Sequence, residues 1–424
     1  MISGIAFGLF GLAVLVSIAY LFSNKRHAVD WRQVGGGIGL QVLFAVIVIV
    51  VPGGRQFFNA FGHVFVKIID FALVGAQFVF GDLARSQQFG FIFAFQVLPT
   101  IIFFASLMSV LYHVGLMQKI VQGMAWVMLK VLRTSGSESL SVAANVFVGQ
   151  TEAPLVVRPY IAKMTESELF TMMVGGMATI AGAVLAAYVS MLGGVDQAQR
   201  LFYARHLLAA SVMAAPATIV IAKMLRPETE ESLTKGKVRL HVEKTAVNVI
   251  EAAANGAADG VKLALNVGGM LLAFFALITM LNAPLEWLGQ VTGLQAAAGE
   301  PLSLSLVLGY LLSPLAWVIG VPWHDAVAVG GLIGEKVVIN EFVAYAHLVE
   351  IKSTLSEHSV LISTYALCGF ANFSSIAIQL GGIGGLAPNR RSDLARLGLL
   401  AVLGGTLATM MTATIAGVLT ALVA

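Results

Sequence analysis

Gly334-Glu335-Lys336-Val337-Val338-Ile339-Asn340-Glu341-Phe342-Val343-Ala344-Tyr345 sets two carboxylates, an ammonium and an amide inside an apolar neighbourhood. An ionisable group at the centre of a membrane helix costs about 2.5–3.5 kcal/mol on insertion scales, so it marks a functional site by default. A second polar stretch, Gly149-Gln150-Thr151-Glu152-Ala153-Pro154, lies in the other half of the chain. Two such stretches in corresponding halves point to groups that hold a polar solute between membrane helices.

The rest of the chain fixes the setting. Of 424 residues, 58% are hydrophobic and only 11% are charged, where soluble domains carry about 25% charged residues. Mean hydropathy is +0.88. The class is therefore an all-α polytopic membrane protein. A net charge of +3 is too small to argue for nucleic acid. The single cysteine, Cys368, excludes a disulfide framework and a cysteine-rich metal site.

A membrane helix needs about 20 mostly apolar residues. Ile2–Phe22, Val34–Val51, Phe91–Met108, Leu207–Met224, Val261–Leu281 and Leu397–Val423 meet that demand. Phe170–Leu192 and Val360–Leu380 are long enough but interrupted, the first by Gly175 to Gly182 and the second by Gly369 to Ser375. Basic residues cluster after the first span (Lys25, Arg26, Arg32), after the third (Lys119, Lys130, Arg133), between Lys223 and Lys244 (Arg226, Lys235, Lys237, Arg239), and before the last span (Arg390, Arg391, Arg396). The positive-inside rule then gives eight crossings with both termini outside and these loops in the cytoplasm. The first segment has its basic residues after it, which fits an uncleaved first span. Lys67, Asp70 and Arg85 mark an interfacial helix before the third span, and Ala246 to Ala258 reads the same way.

Ser135–Lys163 and Pro322–Tyr345 are too polar to cross and too apolar for a solvated loop, so they read as re-entrant hairpins, one from each side. The order hairpin, interrupted span, plain span then occurs twice, over Ser135–Met224 and Pro322–Val423. One span between the units gives them opposite orientation. Inverted repeats with broken helices and a midplane site recur among secondary transporters.

The chemistry lies in these segments. Gln150, Thr151 and Glu152 offer donors and acceptors suited to a planar heterocycle, and Pro154 marks a turn. The competing reading is a surface loop with an ordinary helix start. Asn340 and Glu341 suit vicinal hydroxyls, because an ionised carboxylate accepts from both; the competing reading is a surface cluster with Lys336. Asn372 and Ser375 share a helical face beside Phe370, and either bind a ligand or glue helices together. Asn145, Thr179 and nearby carbonyls offer oxygens to a small hard cation, although a lone threonine usually bonds its own backbone. The histidines show no metal-ligand spacing. No ATP-binding motif is present, so uphill transport would be gradient-driven. A membrane-embedded enzyme using Glu152 and Glu341 as an acid–base pair lacks a nucleophile–histidine pair; a channel is a third possibility.

With these motifs in view, the chain resembles the bacterial concentrative nucleoside transporters. Gly334 to Tyr345 match every specified position of the family motif G-x-K-x-x-x-N-E-F-V-A-Y, and Gly149–Pro154 and Cys368–Ser375 resemble the first hairpin tip and second unwound helix. The resemblance implies eight transmembrane helices, two opposed hairpins, interfacial helices and a homotrimer in the inner membrane with an elevator mechanism. It implies scaffold in residues 1–134 and 227–300, and transport repeats in 135–226 and 301–424. It implies Gln150, Thr151 and Glu152 on the nucleobase, Val184 packed against it, and Glu341, Asn372 and Ser375 on the ribose with Phe370 beside them. Sodium would take side-chain oxygens from Asn145 and Thr179 and carbonyls from Val148 and Ile180, with no other cofactor; relatives often have serine at the position of Thr179, and proton coupling is the alternative.

Overall fold

The computed structural model describes residues 2–85, 89–236, 246–293 and 301–423. Lys237, Arg239 and Lys244 lie outside them.

The chain opens with α1 (Ile2–Leu21), α2 (Trp31–Ile49) and α3 (Pro52–Phe80). Asp30 starts α2 by accepting from the backbone N–H of Arg32 and Gln33, which satisfies donors that a helix N-terminus otherwise leaves unpaired. α4 (Leu98–His113) and α5 (Leu116–Leu132) follow. The first repeat holds α6 (Gly136–Asn145), a turn with short helical pieces at Ala153–Val157 and Arg158–Ile161, then α7 (Glu166–Ala178), α8 (Gly182–Gly193) and α9 (Gln197–Leu225). Capping boxes open α6 (Ser135 with Glu138) and α7 (Thr165 with Glu168). α10 (Val249–Thr292) and α11 (Leu304–Val318) lead to the second repeat: α12 (Trp323–Val338), α13 (Glu341–Ile351), α14 (Glu357–Ala366), α15 (Phe373–Leu386) and α16 (Arg391–Val423).

Helices of the two halves of the chain pack together. α4 lies along α10, α9 along α16, and α7 along α16. Buried side chains fill α7, α8 and α9 almost completely. α10 is the opposite: Leu265, Met280, Leu281 and Leu272, the last 77% exposed, face outward. A contiguous apolar surface of this kind belongs against lipid or another protein.

Eight helices among the described residues are long and apolar enough to cross a membrane. The number equals the expected one, but the membership differs. Pro52–Ala84, expected as an interfacial helix around Lys67, Asp70 and Arg85, is one helical stretch that meets the length and composition for a span. Val360–Leu380 is absent from the eight, because α14 stops at Ala366 and α15 starts at Phe373. Ala246–Ala258 contains no separate helix; from Val249 it forms the first turns of the 44-residue α10. Continuity wins there because Ala252 to Val261 offers no proline to stop the helix. α11 is a further apolar helix, for which the sequence reading names no span. It forms a bent pair with α12 at 116°.

The first interruption is also narrower than Gly175 to Gly182. The helix runs on to Ala178, and only Thr179 to Ala181 leave it. Gly175 and Gly176 serve close approach instead: a Cβ at Gly176 would sit 2.7 Å from Cβ of Gln150, and one at Gly175 would sit 3.2 Å from Nδ2 of Asn145. The two breaks cross one another. The N–H of Phe370 donates to the carbonyl of Thr179 at 3.3 Å. A Cβ at Gly369 would meet the Met177 carbonyl oxygen at 2.8 Å.

Candidate functional site

The second turn is built by Asn340. Its side chain accepts from the N–H of Val343 at 2.9 Å and starts α13. Its oxygen thus caps a helix, which leaves only its amide nitrogen to donate elsewhere. The cap projects Glu341, only 3% exposed, into the protein. Tyr188 on α8 donates its hydroxyl to Oε1 of Glu341 at 3.0 Å, and Asn372 donates Nδ2 to Oε2 at 2.9 Å. Phe342 and Tyr345 pack on the Tyr188 ring, with centroids 4.8 and 4.3 Å away.

Asn372 stands at the second break and caps α15. Its Oδ1 accepts from the N–H of Ser375 at 2.9 Å and from the Ser374 hydroxyl at 2.7 Å. The residue therefore ties a helix start to the carboxylate with one amide. Ser375 in turn accepts from Nε2 of Gln150 at 3.0 Å. The first turn, the second turn and the second break thus meet through Gln150, Ser375, Asn372 and Glu341. All four are buried. Phe370 is half-buried in the same break.

Thr151 lies against α15: a Cβ at Gly382 would sit 2.6 Å from its Cγ2. Glu152 is exposed, with a carboxylate oxygen folded back over Gly149. Val184 is buried in the first turn of α8, about one turn before Tyr188.

Asn145 ends α6 with both amide atoms buried and without a hydrogen-bond partner among the described residues. A buried amide normally finds partners. Thr179 donates its hydroxyl hydrogen to the Gly175 carbonyl at 2.8 Å, which leaves its lone pairs free to accept. The break carrying Thr179 and Ile180 is held to the first turn by the Gly182 N–H, which donates to the Phe147 carbonyl at 2.9 Å. Asn145, Val148, Thr179 and Ile180 therefore flank one junction.

Residues 206–417 match the family described as Na+ dependent nucleoside transporter C-terminus, residues 10–83 the corresponding N-terminus, and residues 94–195 a nucleoside recognition family. A nucleoside permease of Helicobacter pylori is 42% identical over 427 residues, covering 98% of each chain. The chain belongs to the Na+-dependent nucleoside transporter family. The mouse sodium/nucleoside cotransporter 1 is 41% identical over 96% of this chain, which spans 63% of that longer protein. The structure of CNTnw in an inward-facing substrate-bound state superposes with a TM-score of 0.89 at 46% identity, covering 98% of this chain and 99% of that one. Membership makes the chain a membrane transporter and excludes the reading of Glu152 and Glu341 as an enzymatic acid–base pair.

Two residues of this family member escaped the sequence reading, and a third, Lys336, is legible there only as part of a motif or of a surface cluster. Tyr188 looks like one more apolar residue of an interrupted span. Gln379, fully buried, sits beyond the motif and donates Nε2 to Oε1 of Gln150 at 3.1 Å and to the Met173 carbonyl at 2.9 Å. Lys336 is fully buried and donates to the Ala366 carbonyl at 2.8 Å and the Thr409 hydroxyl at 2.9 Å. It is no surface cluster: it supplies a charged donor where α14 ends and leaves carbonyls unpaired. A lysine inside an apolar helix was the signal for it.

Proposed function

We propose that this transporter imports nucleosides by sodium symport, with alternating access of a site between the two repeats. One observation carries the reading: a buried carboxylate, Glu341, and two amides, Asn372 and Gln150, converge with Ser375 where both turns meet the second break. A neutral solute rich in hydroxyls and with a hydrogen-bonding ring matches that set of groups. Glu341, Asn372 and Ser375 take the ribose hydroxyls. Phe370 packs beside these ribose-binding groups, and Gln150, Thr151 and Glu152 take the nucleobase, with Val184 packed against it.

Sodium is cargo as well as driving force. Its ligands are Oδ1 of Asn145, the Thr179 hydroxyl oxygen and the carbonyls of Val148 and Ile180. The donor set fits a hard cation, being all oxygen, and the unpartnered Asn145 amide supports it. One cation moving down 100 mV gains about 2.3 kcal/mol, roughly a 50-fold accumulation before its own gradient is counted.

Residues 135–226 and 301–424 form the moving unit, which slides as an elevator against a scaffold of residues 1–134 and 227–300. The turns around Gln150 and Glu341 are the tips of re-entrant hairpins, and eight helices cross the bacterial inner membrane with both termini periplasmic. Three copies assemble through the scaffold.

Uptake of labelled uridine into proteoliposomes tests the proposal. Accumulation above equilibrium with a sodium gradient, and none without, is expected. Equal uptake in both conditions removes sodium coupling, and no uptake of any nucleoside removes the substrate class.

A further inference from the structure

We infer that Gln379 is a positioning residue that fixes the polarity of the Gln150 amide, and through it which nucleobase edge the transporter accepts. This rests on the proposed contact between Gln150 and the base.

The polarity follows from the atoms at the far end of the chain of bonds. The Met173 carbonyl only accepts, so the group facing it at 2.9 Å must be the NH2 of Gln379. The second hydrogen of that NH2 points at Gln150 at 3.1 Å, so the atom there must be Oε1. Nε2 of Gln150 then faces the Ser375 hydroxyl at 3.0 Å. Neither amide is free to turn over without setting two donors or two acceptors face to face. The orientation persists although it leaves Oε1 of Gln379 buried without a partner among the described residues.

The fold reserves space for this pair. A Cβ at Gly176 would meet Gln150 Cβ at 2.7 Å and Gln379 Nε2 at 3.0 Å. Gln379 is fully buried and Gln150 nearly so. Both residues therefore sit in one orientation, with the Gln150 acceptor on the Gln379 side and its donor on the Ser375 side.

An amide held this way distinguishes bases whose edges are reversed. Uridine presents a ring N–H donor beside a carbonyl acceptor; cytidine presents a ring nitrogen acceptor beside an amino donor. A fixed amide matches one of them in a given pose, whereas a freely turning amide matches both. Gln379 does not itself need to touch the base.

The test is the ratio of uridine to cytidine affinity, measured by calorimetry on the purified full-length transporter. The wild type should discriminate by about tenfold, the scale of one hydrogen bond. Gln379→Met should bring the ratio to within about twofold of one. Gln379→Asn, whose shorter side chain reaches Met173 or Gln150 but not both, should do the same if the methionine variant does not fold. Gln150→Leu should also collapse the ratio, and adding Gln379→Met to it should change nothing further. A wild-type ratio near one, or a ratio unchanged in a folded Gln379 variant while Gln150→Leu collapses it, overturns the inference alone. A ratio unchanged in Gln150→Leu overturns the base contact beneath it.

Discussion

Replacing Glu341 by glutamine keeps the volume and removes only the charge. Glu341 accepts from Tyr188 at 3.0 Å and from Asn372 at 2.9 Å. In the variant, Oε1 must face Asn372, because that amide nitrogen is also a donor. The new NH2 then faces Tyr188, whose hydroxyl can turn and accept. The unliganded protein thus keeps its internal bonds and should fold. The proposed ribose contact loses more. A hydrogen bond to a charged group contributes about 1.5–3 kcal/mol, against about 0.5–1.5 for a neutral one. Two hydroxyls sharing the carboxylate would lose about 2–3 kcal/mol together, which is a 30- to 150-fold weaker Kd. Calorimetry with uridine reads this directly. A second arm uses nucleosides lacking one ribose hydroxyl: deleting that hydroxyl should weaken binding to the wild type far more than to the variant. A variant Kd within threefold of wild type, or an equal deletion penalty in both proteins, would refute the assignment of Glu341 to the sugar.

Thr179→Val removes a hydroxyl oxygen and keeps the shape; it should raise the sodium concentration for half-maximal uptake, and an unchanged sodium titration places the ion elsewhere. Gly369→Ala inserts a methyl 2.8 Å from the Met177 carbonyl and 3.0 Å from the Ala178 carbonyl carbon. It should force the two breaks apart at about 1–3 kcal/mol, seen as a lower melting temperature, and an unchanged melt would mean the crossing is loose. Glu138→Gln breaks a buried ion pair with Lys223 at 2.6 Å and leaves the lysine without that charge. Such losses cost about 3–5 kcal/mol, softened here because Lys223 also donates to Ser167 at 2.9 Å and approaches Glu228 at 3.5 Å. The variant should melt earlier, and should melt like wild type only if Glu228 takes over fully.

What the sequence made legible follows from which signals are local. Polar residues inside apolar runs located both turns and the second break, because their placement violates the default composition of a span. Their partners were hidden, since nothing local distinguishes Tyr188 or Gln379 from any other side chain on a buried helix. The bonds from Tyr188 to Glu341 and from Gln379 to Gln150 join residues 153 and 229 positions apart. The glycines misled for a related reason. Gly175 and Gly176 read as helix weakeners on propensity, but close contact with Asn145 and Gln150 on another segment decides their use. Asn340 and Asn372 show the same divide. Both read as ligand-binding candidates in the sequence, and both cap helices, at 2.9 Å to Val343 and Ser375. Only Asn372 also turns its amide nitrogen to Glu341. A cap motif fixes where the side-chain oxygen goes. Where the nitrogen goes depends on what the rest of the fold sets opposite it, and for Asn372 that is the carboxylate of the other segment.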